Sequence, residues 1–143
     1  MLQFAVLKNQ KMSKQVINTE KAPAPIGPYN QSVMAGGFLF TSGQIALDPV
    51  SGEFAKGDIK TETHQCMKNL GGILSEAKLT FEHVVKTTIF ITDMNLFAEV
   101  NEVYSSYFKG DFRGDFPARE TVAVKALPKG ANVEISMIAV ERL

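Results

Sequence analysis

The segment 84–92, VVKTTIFIT, constrains the fold of this chain more than any other. Apart from Lys86 it is β-branched or aromatic throughout, which favours an extended backbone over a helix. It is apolar on both faces, so the expected strand is central in a sheet and buried on both sides. Such a strand needs partners along its edges and cover above and below. The rest of the chain must supply them.

The remaining pattern places strands at both ends and helices between. Residues 15–18 read as a short edge strand. KAPAPIGPY follows, where Pro23, Pro25 and Pro28 remove backbone donors and fix φ, giving an ordered but irregular connection. Residues 32–35 and 38–42 flank Gly36-Gly37 and read as strand, tight turn, strand. Residues 48–57 read as a loop. A helix is expected over 59–78 behind an Asp58 cap, because Ile59, Thr63, Cys66, Leu70, Ile73 and Ala77 keep helical spacing. Gly71-Gly72 inside it cost about 1 kcal/mol each against alanine, which points to close packing on a sheet or another helix. A second helix is expected over 96–108, capped by Asp93 or Asn95, with Phe97, Val100, Tyr104 and Phe108 as its apolar stripe. Residues 109–115 read as a polar loop. Strands over 121–126 and 132–140, joined through Pro128-Lys129-Gly130, complete an α+β order with helices on one face.

Composition narrows the function. The 143 residues fit a single domain over residues 12–143, opening at Met12. Residues 1–11 then form an N-terminal extension outside the core. That extension has no arginine and no small-residue cleavage site. Lys+Arg and Asp+Glu both number 15, so the basic excess of a protein that grips a nucleic-acid backbone is missing. The sole cysteine, Cys66, excludes an internal disulfide and a multi-cysteine zinc site, and fits a reducing compartment. Its place on the helical stripe makes it a packing residue. His64 and His83 show no ligand spacing, so no metal is expected. No apolar run of about 18 residues occurs, so no membrane span is expected. The expected location is cytoplasmic, or organellar if residues 1–11 are a targeting remnant.

If the chain turns at Lys129–Gly130, Glu134 lies opposite Lys125, and Arg119 sits roughly 20 Å from it along the strand. The two then meet in one pocket only across two copies of the chain. Val133, Ile135 and Met137 alternate with Glu134, Ser136 and Ile138. One face can therefore cover helices while the other meets a second subunit.

APIGPYNQSV, TSGQIALDP, VVKTTIFITDMNLFAEVNEVYSSYF, FPAR and ALPKGANVEISMIAV occur in that order. Together they resemble the RidA/YjgF family, the reactive-intermediate (enamine/imine) deaminases, over residues 12–140. The resemblance implies a chorismate-mutase-like fold, with a mixed sheet and two helices on one face. It also implies a homotrimer with an internal barrel and clefts between subunits. The implied activity is cofactor-free hydrolysis of 2-aminoacrylate, 2-iminobutanoate and related imines to 2-oxoacids and ammonia. These are released by pyridoxal-phosphate-dependent dehydratases, so the role is metabolite damage control.

Taken alone, Arg119 reads as a surface ion-pairing residue, Glu134 as an outward strand residue and Tyr29 as a packing residue. Ser42 reads as a turn serine, and Asn101 as a helix-surface asparagine. The resemblance gives them other roles. Arg119 of FPAR holds the substrate carboxylate through paired guanidinium donors. Glu134 positions and activates water, and the Tyr29 hydroxyl orients substrate or water. Ser42 and Gly43 meet the ligand from their loop, and Phe97 and Asn101, one helical turn apart, line the cleft. Thr121 is a further binding position, where some bacterial members carry a cysteine, and its identity disfavours thiol chemistry there. Two other functions stay open: a non-catalytic sensor or regulatory module that binds small carboxylates, and, with less support, an endoribonuclease.

Overall fold

The computed structural model describes residues 13–108 and 114–142. The chain runs β1 (Gln15–Ile17), β2 (Ser32–Ala35), β3 (Phe38–Thr41), α1 (Ile59–Glu76), β4 (Val84–Ile91), α2 (Phe97–Ser105), β5 (Ala118–Ala123) and β6 (Val133–Val140). All six strands form one mixed sheet in the order β1-β2-β3-β6-β4-β5, with only β4 and β5 parallel. The extension expected over residues 1–11 and the domain start at Met12 lie outside the described residues, as does most of the loop expected over 109–115.

Local chemistry explains most of these elements. Gly36 and Gly37, at φ 58° and 82°, take the left-handed turn that returns β3 onto β2. Asp58 caps α1, its carboxylate accepting from Thr61 N–H at 2.9 Å. Asp93 caps a single 3-10 turn, Met94–Leu96, so α2 begins one residue later than expected and ends at Ser105, short of residue 108. The two helices pack on one face of the sheet. Ile89, Ile91, Val133 and Ile135 are fully buried there, with Met67, Leu70 and Ile73 of α1. Each such side chain contributes roughly 1.5–3 kcal/mol by leaving water. No helix among the described residues is long and apolar enough to cross a membrane.

Three expectations are corrected. The chain does not form a terminal hairpin through Pro128–Gly130. β6 inserts between β3 and β4, antiparallel to both, and β5 pairs with β4 in parallel. Glu134 therefore faces Phe90 instead of Lys125, and Arg119 lies within β5, which starts three residues earlier than expected, opposite Thr87. The reason is the α2 segment between β4 and β5, which supplies the crossover a parallel pair needs. Second, β4 is interior but covered on one face only. Thr87, Ile89 and Ile91 are buried under the helices, while Thr88 and Phe90 stay partly open on the other face. Third, Gly72 packs on neither sheet nor helix but on the proline-rich connection. A Cβ there would lie 2.7 Å from the Lys21 carbonyl oxygen and 3.1 Å from its carbon.

The two adjacent glycines thus have opposite expected responses to alanine. A Cβ at Gly71 would meet only the Phe81 ring, at 3.4 Å. Gly71→Ala gains helix propensity and stabilises by about 1 kcal/mol. Gly72→Ala forces the connection off α1 and destabilises by about 1–3 kcal/mol despite the same gain. Urea denaturation of both variants checks this, and shifts of the same sign would remove the packing argument.

Candidate active site

The expected site residues assemble into two groups. The first surrounds a cleft of about 310 Å³ lined by Tyr29, Ser42, Gly43, Pro128, Lys129 and Glu134. Buried Gln31 organises one wall. Its amide donates to the carbonyls of Thr19, Ala22 and Pro23 at 2.8–3.1 Å, tying down the proline-rich connection that leads to Tyr29. Gln31 lies inside APIGPYNQSV, but nothing local in that stretch marks it as an anchor. Tyr29 is exposed, and its hydroxyl accepts a long 3.4 Å bond from Ile26 N–H. The Ser42 hydroxyl donates to the Asn30 carbonyl at 2.5 Å. Its proton is committed to the loop, leaving the oxygen as an acceptor toward the cleft.

Glu134 is the carboxylate of this cleft. Gln44 and Ile135 exchange backbone hydrogen bonds at 2.8 and 3.1 Å, which brings Gly43 beside Glu134. A Cβ at position 43 would come within 2.7 Å of the Glu134 Cδ, so only glycine lets the carboxylate lie against that backbone. Partial burial, with no compensating partner among the described residues, raises the Glu134 pKa above its ordinary value. A raised folded-state pKa adds stability that is complete below the unfolded pKa and is lost as pH rises through the folded one. Glu134→Gln is therefore expected to raise Tm at pH 7–8 and leave it unchanged near pH 3. Equal shifts at both pH values would remove the desolvation account.

Arg119 organises the second group. It lies on the helix-covered face of β5, and its Nη1 donates to Asn101 Oδ1 at 2.7 Å. Its guanidinium carbon stands 4.9 Å from the Tyr104 ring centre and 5.5 Å from that of Phe97. Phe97 and Asn101, expected on one helix face, both reach Arg119, and Tyr104, expected in the apolar stripe, is buried there and also meets the guanidinium. The signal is spacing: positions 97, 101 and 104 share one helix face. Tyr104 in turn donates to Thr87 Oγ1 at 3.0 Å, and burial pushes its pKa up. Thr121 follows on the same face of β5, with a buried hydroxyl that has no partner among the described residues.

One chain does not bring the two groups together. Arg119 shares its face with Thr87, Glu134 shares the opposite face with Phe90, and β4 separates their strands. Their Cα atoms are roughly 10 Å apart along the strands and about 10 Å across them. The remaining reactive side chains are used elsewhere. His64 Nδ1 pairs with the Tyr107 hydroxyl at 2.8 Å, and His83 Nδ1 accepts from Thr80 N–H at 3.1 Å. Cys66 is fully buried under the sheet, and burial pushes its thiol pKa up. Among the described residues no three His, Cys, Asp or Glu side chains converge as metal ligands would.

The sequence and the fold are matched by known proteins. The sequence profile described as Endoribonuclease L-PSP matches residues 19–141. The mouse 2-iminobutanoate/2-iminopropanoate deaminase is 48% identical over 128 residues, covering 90% of this chain and 92% of that protein. A RutC family protein of Pyrococcus abyssi is 49% identical, covering 90% of this chain and 98% of its own length. Among solved structures, the Escherichia coli YjgF gene product superposes with a TM-score of 0.83 at 43% identity, covering 90% of this chain and 99% of that one. Escherichia coli TdcF, solved with bound serine, gives 0.82 at 40% identity, covering 88% and 98%. With its mixed sheet, its two helices on one face and this likeness along most of its length, the chain belongs to the YjgF/RidA (Ribonuc_L-PSP) family.

Proposed function

We propose that this protein hydrolyses reactive enamine and imine intermediates, 2-aminoacrylate and 2-iminobutanoate, to 2-oxoacids and ammonia. We place the reaction in clefts between the copies of a homotrimer. The observation that carries this reading is Glu134, a partly buried carboxylate seated on the Gly43 backbone at the wall of a small cleft. Two relatives support it by name, the mouse and human 2-iminobutanoate/2-iminopropanoate deaminases, the latter 45% identical. The open sheet face supports assembly. It presents exposed Phe38, Phe40 and Val122 around partly open Phe90, a patch a second copy would cover.

The chemistry needs only water and the chain's own groups. The enamine tautomerises to the imine. Arg119, held against the Phe97 and Tyr104 rings and bound by Asn101, offers its remaining N–H groups to the substrate carboxylate. Glu134 from the neighbouring copy takes a proton from water as the oxygen adds to the imine carbon. Addition to the N-protonated imine gives a neutral carbinolamine, whose nitrogen takes that proton back from Glu134; the C–N bond then breaks, ammonia leaves, and the hydroxyl proton passes to Glu134 as the carbonyl forms. Tyr29 and the Gly43 backbone border the space where this occurs. Burial raises the Glu134 pKa, which makes its carboxylate a stronger proton acceptor than an exposed one.

A second reading, binding without turnover, is favoured by the Arg119 group, which is equipped to bind a carboxylate without Glu134. The endoribonuclease description of the family gains less. Both histidines are engaged away from the cleft and from Arg119, so neither is a base there. A coupled assay separates these readings. A pyridoxal-phosphate-dependent threonine or serine dehydratase generates the enamine, and 2-oxoacid formation is followed with and without this protein. Acceleration by wild type that is lost in Arg119→Ala and Glu134→Ala supports the deaminase reading. Retained affinity for 2-oxobutyrate with no acceleration selects binding alone.

A further inference from the structure

Glu62 is a buried charged group that the proposed chemistry leaves unused. It lies in the first turn of α1 and is 3% exposed. Its Oε1 accepts from the backbone N–H groups of Asn132 at 2.6 Å and Val133 at 3.3 Å. Its Oε2 accepts from the Asn132 side-chain amide at 2.9 Å. From the other side, Thr92 N–H donates to the Asn132 carbonyl at 3.0 Å, and Thr92 Oγ1 reaches Asn132 Oδ1 at 3.4 Å. Position 132 is thus held from both sides, two residues before Glu134.

The corner that precedes it needs an external anchor. Lys129 and Gly130 are both left-handed, at φ 56° and 69°, a strained setting for a lysine. Pro128 and Lys129 line the cleft, as does Glu134 on the far side of the anchored residues. One fixed point therefore sets two walls of the same cleft. A buried carboxylate is costly unless several donors compensate it, and here three do.

We infer that Glu62 is a positioning residue: by anchoring the backbone at Asn132 and Val133 it holds Glu134 in its seat against Gly43. This rests on the proposed role of Glu134 in directing water. The titratable side chains that share the cleft with Glu134 are Tyr29 and Lys129.

The test uses Glu62→Gln and the exchanged pair Glu62→Gln with Asn132→Asp. In the single variant, the new amide of residue 62 faces the Asn132 amide, donor against donor. In the pair the donor and acceptor are exchanged, the backbone acceptor at residue 62 is kept and the net charge equals that of wild type. Two readouts are taken on the full chain. One is kcat and KM in the coupled assay. The other is the Glu134 midpoint from 13C NMR of labelled glutamate side chains, assigned with Glu134→Gln. In folded Glu62→Gln, kcat is expected to fall about tenfold with KM within about twofold, the mark of a displaced reacting group. The Glu134 midpoint is expected to move down toward the ordinary carboxylate range as water reaches it. The exchanged pair is expected to recover both values.

Wild-type kcat and an unmoved Glu134 midpoint in folded Glu62→Gln would overturn the inference. So would an exchanged pair that recovers neither. If the single variant fails to fold, the pair alone decides, and it must fold with wild-type values. If wild type itself does not accelerate imine hydrolysis, the deaminase reading fails. The NMR midpoints then still decide whether Glu62 seats Glu134.

Discussion

Arg119→Ala is expected to lower kcat/KM for imine hydrolysis by about three orders of magnitude, while the fold stays intact. Two charge-assisted hydrogen bonds to a carboxylate, at roughly 2 kcal/mol each, amount to about 4 kcal/mol. That difference is close to a thousandfold in rate. The fold is expected to survive because Arg119 is only partly buried and its loss leaves Asn101 on a partly open helix face. Arg119→Lys keeps the charge but is expected to recover little. The Tyr104 and Phe97 rings at 4.9 and 5.5 Å stack on a planar guanidinium, and one ammonium cannot offer a parallel pair of donors. Steady-state kinetics of the three proteins check this. A lysine variant with near wild-type kcat/KM would reduce the role of Arg119 to bulk electrostatics.

Mixing two inactive variants is expected to restore activity. Arg119 and Glu134 lie on opposite faces of the sheet in one chain, so a site that uses both must draw them from two copies. In a trimer formed from equal amounts of Arg119→Ala and Glu134→Ala, a cleft is intact when it takes Arg119 from one parent and Glu134 from the other. Random assembly makes about a quarter of the clefts intact. Co-refolded variants are therefore expected to show about 25% of wild-type activity in the coupled assay, although each alone is nearly inactive. If both residues served one site within a single chain, every cleft would carry a lesion and mixing would restore nothing. That outcome would sink the shared-cleft proposal.

Much of the fold was legible because its signals are local. The β-branched run in β4, Gly36-Gly37 between β2 and β3, and the Asp58 cap with the apolar stripe of α1 each act within a few residues. The pairing of Phe97 with Asn101 was legible for the same reason, since helical spacing alone puts them on one face. Strand partners were not legible. Alternation in β6 says which side chains share a face, but not which strand lies alongside it. The final turn reads equally well as a hairpin, and only the helix crossover from β4 to β5 shows that β6 must pair elsewhere.

The same division runs through the candidate site. The chain's chemistry is local and was present in the sequence: a guanidinium after FPA, a carboxylate in an apolar strand, a tyrosine behind Gly-Pro. The anchors were not. Gln31, Tyr104 and Glu62 act across separations of 8–12, 15 and 70–71 residues, which no short pattern encodes. By itself the sequence determined the element types and which functional groups the chain carries, because both follow from near neighbours and side-chain chemistry. Only the tertiary structure decided that Arg119 and Glu134 look out from opposite faces, because strand order is chosen by burial of the whole sheet against its two helices.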